Sequence, residues 1–208
     1  MDSATIAELL RPFAALDQKQ LDQVSRYLNL LLKWNARMNL TAVRDPREIV
    51  ARHFGESFFA ADKLLERDRE LAVIDLGSGA GFPGLPLAIF APWAQVTLIE
   101  SNNRKSAFLN EVIFALQLSN AKVFARRAED YPDEADLVTM RAVEKFTEAL
   151  PIAMRLVRVG GRLGLMIGAA QVEQAKNLLP DVEWAAPVAV PGGHSRVLAL
   201  GAKRVIVD

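Results

Sequence analysis

Gly77, Gly79 and Gly81 stand at alternate positions after an apolar run that carries an acid: Val73-Ile74-Asp75-Leu76-Gly77-Ser78-Gly79-Ala80-Gly81-Phe82-Pro83-Gly84. Glycine tolerates positive φ and lets a ligand come close to the backbone. A helix starting at Gly84 would bring free N–H groups to the same place. The pattern predicts a strand, a tight loop and a helix. It places a polar ligand beyond the carboxyl end of the strand, where open α/β sheets bind ligands. Two ligand classes use that geometry. Dinucleotide enzymes want G-x-G-x-x-G, and here the third position of that spacing is Phe82. Asp75 would also face a pyrophosphate with like charge. S-adenosylmethionine carries an ammonium and a sulfonium, so the same acid favours it.

Glu100 ends the next apolar run, residues 95–99. A carboxylate at a strand tip accepts both hydroxyls of a ribose, a feature that nicotinamide enzymes share. Ala128-Glu129-Asp130 follows the third run, where an acid meets an adenine amino group or forms plain surface. The plainer reading of the glycines is a tight strand-to-helix turn, with Asp75 as a helix cap. The succession strand, acid, three glycines, helix, strand and acid favours a nucleoside-type ligand.

The elements that must hold these residues follow from hydrophobic periodicity. Residues 1–70 read as helical. Leu21, Val24, Leu28, Leu31 and Leu32 recur at three- and four-residue steps behind Asp17, a helix N-cap. Asp45-Pro46 starts another helix, running to about residue 62. Residues 66–70 are charged and read as a surface linker. From residue 71 short β-rich runs (71–76, 95–99, 121–125, 136–140, 162–167, 183–190 and 196–200) alternate with helical stretches (84–90, 104–116 and 146–156). Alternation predicts an α/β domain with a mostly parallel sheet of seven strands. Pro191-Gly192-Gly193-His194 separates the last two runs, which predicts an antiparallel C-terminal hairpin. The division is a helical extension, 1–70, on a core, 71–208, as one structural unit.

Composition bounds the function. The chain has 208 residues, 25 Lys+Arg against 25 Asp+Glu, two histidines and no cysteine. Disulfides, cysteine-ligated metals and a cysteine nucleophile are excluded. No metal site is expected. Zero net charge excludes a basic field over the whole molecule, so nucleic acid would need a local patch. Such a patch is offered by residues 33–52, with five cations (Lys33, Arg37, Arg44, Arg47, Arg52) against two acids (Asp45, Glu48). No apolar run reaches the roughly 18 residues of a membrane span. No secretory signal is evident, so a cytoplasmic chain is expected. With no apolar seam to pair, it is expected to be a monomer without an obligate protein partner.

The glycine loop resembles the first motif of the Rossmann-like class I S-adenosylmethionine-dependent methyltransferases. Longer stretches resemble one family among them, the glucose-inhibited division protein B family of bacterial small-subunit ribosomal RNA guanine-N7 methyltransferases. The resemblance rests on Lys33-Trp34-Asn35, on Met38 to Pro46, on Arg52-His53, on Asp75 to Leu87 with Gly-Phe-Pro-Gly-Leu-Pro at 81–86, on Arg141-Ala142, and on Gly192 to Val197. It implies methyl transfer from S-adenosylmethionine to guanine N7 in 16S ribosomal RNA near the decoding site, with the 30S subunit as partner. It implies cofactor contacts from Asp75, Gly77, Ser78, Gly79, Phe82, Glu100, Ala128, Glu129 and Arg141. Arg141 would also position the substrate, and no general base is expected. On the RNA side it implies Lys33, Asn35, Asn39, Arg44, Arg52, His53 and Arg196. Three departures fall there. Isoleucine stands at 167 where the family has lysine, methionine at 140 where it has serine, and Phe54-Gly55-Glu56-Ser57 follows His53. Three rivals remain: a nicotinamide-dependent oxidoreductase, an RNA-binding protein that has kept the fold without the activity, and a small-molecule methyltransferase, which would show no salt-dependent RNA binding.

Overall fold

A computed structural model describes residues 1–66, 69–143, 145–193 and 195–204. The strands are β1 (Leu71–Leu76), β2 (Ala94–Ile99), β3 (Ala121–Phe124), β4 (Ala135–Arg141), β5 (Val157–Gly168), β6 (Val182–Trp184), β7 (Val188–Ala189) and β8 (Arg196–Lys203). They form one sheet in the order β3-β2-β1-β4-β5-β8-β6, with β7 also paired to β8. The first five neighbours are parallel. β8 runs antiparallel to β5 and to both β6 and β7. The chain builds β1, β2 and β3 outward, then returns to lay β4 on the other side of β1. That reversal opens a crevice at the carboxyl ends of β1 and β4.

Local chemistry places most of these elements. Asp17 caps helix α2 (Gln18–Asn35) through a reciprocal pair: its Oδ1 accepts from Gln20 N at 2.8 Å, and Gln20 Oε1 accepts from Asp17 N at 2.9 Å. Asp45 caps α3 (Pro46–Ile49) by accepting from Glu48 N. The predicted helix after Asp45 is present but not uniform. It widens into a π-helical stretch, Val50–Gly55, before α4 (Glu56–Leu64). Gly55 permits this, because a side chain there would run into the Phe13 ring. The wide turn carries His53 to the inside of the fold.

Two predicted runs are redrawn. Residues 183–190 form two short strands, because Pro187 between them has no N–H for the ladder. Seven sheet positions are therefore filled by eight strands. β5 starts at Val157 rather than near 162. A register shift after the Ala135–Val157 pair, with Gly160 at φ 75°, lets the strand continue through a bulge. Helix α1 (Ser3–Leu10) lies in the stretch read as helical; α5 (Gly84–Phe90), α6 (Asn103–Leu116) and α7 (Phe146–Leu156) fall where the periodicity placed them, and α8 (Gln171–Leu178) is additional. Arg67 and Asp68 of the linker and His194 of the hairpin turn lie outside the described residues. Among the described residues no helix is long and apolar enough to cross a membrane.

Two apolar layers cover the sheet. Leu71 and Val73 of β1 face a core shared by α1, α2, α4, α5 and α6, while Ile74 and Leu76 face α7 and α8. The N-terminal helices thus share their core with the sheet. Their largest fully buried side chain is Tyr27. Its ring stacks on Phe82 at 5.3 Å and meets Phe54 edge-on at 4.9 Å, and its hydroxyl donates to the carbonyl of Ala80. Gly81 sits against it at φ 91°, where an added Cβ would meet the Tyr27 hydroxyl, Leu85 and Leu109. Gly81→Ala combines a strained left-handed backbone with overpacking and is expected to destabilise the fold by about 2–4 kcal/mol. Urea unfolding of the variant against the parent checks this.

Candidate active site

The glycine loop bends back over the end of β2. Gly77 N and Ser78 N both donate to the Ile99 carbonyl, at 2.9 and 3.1 Å. Gly79 N donates to Glu100 Oε2 at 3.0 Å, and Asn102 N to Glu100 Oε1 at 2.8 Å. Gly77, Gly79 and Gly81 all have positive φ, as the alternate spacing requires. Beside the loop lies an open cavity of about 540 Å³. Gly77, Ser78, Gly79, Phe82, Glu100, Ala128, Glu129 and Arg141 all line it. Eight of the nine residues expected at the cofactor therefore meet around one space.

Asp75 is the ninth, and its role changes. Its carboxyl is buried beneath the loop and does not line the cavity. Oδ2 accepts from Gly84 N at 3.1 Å and Oδ1 from Thr139 Oγ1 at 3.0 Å. Gly84 lies so close that a Cβ there would strike Leu98 and the Asp75 side chain. Asp75 thus clamps β1 to β4 and to the first turn of α5. An acid on β1 points to the same face as Val73, into the packed layer. The close-packing glycine of the loop is Gly84, three residues beyond Gly81.

A second group converges from the N-terminal helices. Arg141, at the end of β4, donates through Nη2 to Glu56 Oε2 at 2.9 Å, to His53 Nδ1 at 3.1 Å and to the Arg52 carbonyl at 3.3 Å. Arg196 Nη1 reaches the same Glu56 carboxylate at 2.7 and 3.0 Å. The acid that pairs with Arg141 is thus Glu56, from one of the three departures. Sequence offered no signal for Glu56 beyond an acid on a helix. Only the fold shows it buried between two arginines. Arg141 Nε is buried and has no hydrogen-bond partner among the described residues. Burial, reinforced by Arg141, Arg52 and Arg196, pushes His53 down to about 3, so the ring is neutral at physiological pH.

The other RNA-side residues divide. Asn35 is buried and structural: Oδ1 accepts from Leu40 N and Thr41 N, and Nδ2 donates to the Thr41 carbonyl. Arg44 is tied to the Asn35 carbonyl and to Asn39 Oδ1. Arg52 pairs with Glu48 on the surface. Lys33 lies with Arg37 and Arg104 in a separate groove floored by Trp34 and Met38. Trp34 packs on Phe108 at 5.6 Å and donates to Glu111. The cations of 33–52 are therefore not one free patch. Lys105, Arg126, Arg127 and Lys145, from the later elements, line the main cavity instead. Ile167 and Met140 line a second cavity of about 370 Å³ on the other side of Arg141, with Glu56, Gln171 and Arg196. Arg196 supplies a cation on that side, where residue 167 carries none.

Burial raises Asp75 from its ordinary 3.8 to about 6, against the hydrogen bonds it accepts. A carboxyl whose folded value lies above its unfolded one loses stability as pH rises from about 4 to 6, and the loss stays full above that. Asp75→Asn can still accept from Gly84 N and pair with Thr139, and it carries no charge. Its stability relative to the parent should improve by roughly 2 kcal/mol on going from about pH 4 to about pH 8. Denaturant titrations at the two pH values measure this difference; an unchanged difference would show that Asp75 is not a desolvated charge.

Comparison with known proteins places this geometry. Residues 20–190 match the family model described as rRNA small subunit methyltransferase G (GidB). The chain is 40% identical over 198 residues to the Ribosomal RNA small subunit methyltransferase G of Roseiflexus castenholzii, covering 89% of this chain and 84% of that one. It is likewise 40% identical over 197 residues to the protein of that name from Xanthomonas campestris pv. campestris strain B100, covering 91% and 89%. Among solved structures, P. horikoshii TYW2 in complex with MeSAdo superposes with a TM-score of 0.60 at 21% identity, covering 74% of this chain and 63% of that one. A predicted O-methyltransferase from Agrobacterium tumefaciens superposes with a TM-score of 0.59 at 23% identity, covering 73% and 81%. These likenesses show the class I methyltransferase fold. Sequence, sheet order and cavity agree, and the chain belongs to the rRNA small subunit methyltransferase G family.

Proposed function

We propose that this protein transfers a methyl group from S-adenosylmethionine to N7 of a guanine in 16S ribosomal RNA, acting on the small subunit. The observation that carries the reading is the cavity itself. The glycine loop and Glu100 form its wall at the β1–β2 end, and the partly unsatisfied Arg141 forms its wall at β4. The residues present suit the cofactor. Glu100 retains lone pairs to accept a ribose diol after binding Gly79 and Asn102. Ala128 and Glu129 stand past β3, where an adenine edge would lie. Phe82 gives an apolar floor, stiffened by its stack on Tyr27. Arg141 on the cavity wall brings donors only, and its Nε–H is buried without a partner among the described residues.

S-adenosylmethionine supplies an electrophilic methyl on a sulfonium that departs as a neutral thioether, so no acid is required. Guanine N7 carries an in-plane lone pair and no proton, so no base is required either. The work left to this chain is alignment and electrostatics. Neutral His53 does not add charge next to a base that becomes cationic on alkylation, and Glu56 offsets part of the Arg141 and Arg196 charge. Arg141 and Arg196 can hold guanine O6 or a phosphate. The rim cations Lys105, Arg126 and Arg127 suit the ribose-phosphate backbone.

Labelled S-adenosylmethionine, unmethylated 30S subunits and nucleoside mass spectrometry test this. N7-methylguanosine in 16S RNA is expected, falling at least about a hundredfold in Arg141→Ala, which removes an interaction near the reacting atoms and leaves Glu56 to Arg196 alone. A protein that binds the cofactor but transfers no methyl to subunits or free 16S RNA would overturn the substrate reading.

A further inference from the structure

Thr41 lies on the segment between α2 and α3 and lines the main cavity. Its Oγ1 is 2.7 Å from His53 Nε2 and accepts from Val43 N at 3.1 Å. The direction of the Thr41–His53 bond is decided on the far side of the imidazole. Arg141 Nη2 stands 3.1 Å from His53 Nδ1, and a guanidinium has only donors to offer. Nδ1 must therefore be the bare lone pair, and the single proton of the neutral ring sits on Nε2. Nε2 then donates to Thr41 Oγ1. With the N–H of Val43, that hydroxyl oxygen accepts two hydrogen bonds, which fills both of its lone pairs. Its own proton is left over. Among the described residues no acceptor takes it. The segment cannot readily turn to find one, because the Asn35 side chain holds both the N–H and the carbonyl of Thr41.

The cavity thus has a hydroxyl restricted to donating. Arg141, whose guanidinium has only donors to offer, lines the same cavity. Two such donors suit an anionic or carbonyl oxygen and repel an ammonium. Of the groups S-adenosylmethionine carries, the ribose diol is matched by the Glu100 carboxylate, and only the amino-acid carboxylate is an anionic acceptor. His53 also packs against Phe82 of the glycine loop at 5.2 Å, which puts Thr41's partner on the cofactor side of the cavity.

We propose that Thr41 is a cofactor-binding residue whose hydroxyl donates to the carboxylate of the amino-acid moiety, and that His53, oriented by Arg141, is the positioning residue that forces it to donate. This rests on the cofactor reading above. The test is calorimetric binding of two ligands that differ at that carboxylate: S-adenosylhomocysteine, which has it, and 5′-methylthioadenosine, which does not. Thr41→Val should weaken S-adenosylhomocysteine by roughly tenfold to a hundredfold, the range for a lost hydrogen bond to a charged group. It should leave methylthioadenosine within about twofold, and Thr41→Ser should behave like the parent for both. Nitrogen-15 spectra give a readout independent of any variant's folding. With only two histidines in the chain, the His53 ring can be assigned. It should show a bare Nδ1 and a protonated Nε2 throughout the neutral pH range. A proton on Nδ1, an equal loss for both ligands, or unchanged S-adenosylhomocysteine affinity with a raised KM for RNA would each overturn the assignment. A parent protein that binds neither ligand would instead bring down the cofactor reading, and Thr41 with it.

Discussion

The glycine loop has to present its backbone to a ligand while staying in one shape, and three buried polar groups from separate parts of the chain meet that demand. Asp75 of β1 ties Gly84 to Thr139 from below. Glu100, at the tip of β2, holds Gly79 from the side. Tyr27, from helix α2, holds the Ala80 carbonyl and stacks under Phe82. Buried polar groups are costly unless satisfied, so each contact specifies one conformation of the loop. Gly81 and Gly84 have no room for a side chain because these supports press so close.

The same logic explains why the N-terminal helices belong to the site and are not merely a cap on it. Glu56 and His53 reach from the π-helical turn and α4 to Arg141 on β4, and Glu56 continues to Arg196 on β8. Removing one partner from such a buried ionic group leaves a charge without compensation, so the cluster locks extension and sheet into one relative placement. It also sets the electrical character of the crevice, where a neutral imidazole and a shared carboxylate separate two guanidiniums.

Charge is distributed by neighbourhood rather than by total. A chain of zero formal charge can still present cations to phosphate if acids elsewhere neutralise the rest. Glu48 takes Arg52, Asp136 takes Arg158 and Glu173 takes Lys176. Lys105 and Arg126 rim the main cavity beside Arg127, which pairs with Glu129 at 3.9 Å, and Lys33, Arg37 and Arg104 line the neighbouring groove.

Period and punctuation in the sequence determined the α/β class, the strands at β1, β2 and β4, the helices α5, α6 and α7, and the caps Asp17 and Asp45. These depend on residues adjacent or one turn apart, which a linear reading sees directly. The residues lining the cavity, from Gly77 to Arg141, were legible for a related reason: in this topology strand ends meet, so an acid or arginine at a strand tip is already addressed to the crevice. Three things were decided only by tertiary structure. Asp75 turns under the loop, because strand alternation sets its face but the packing of β4 and α5 supplies its partners. Glu56 becomes the centre of an arginine pair through contacts 85 and 140 residues away in sequence. His53 takes its tautomer from Arg141, 88 residues along the chain, and thereby fixes which way the Thr41 hydroxyl faces. Hydrogen-bond direction belongs to a completed network, and only the folded chain brings the members of this one together.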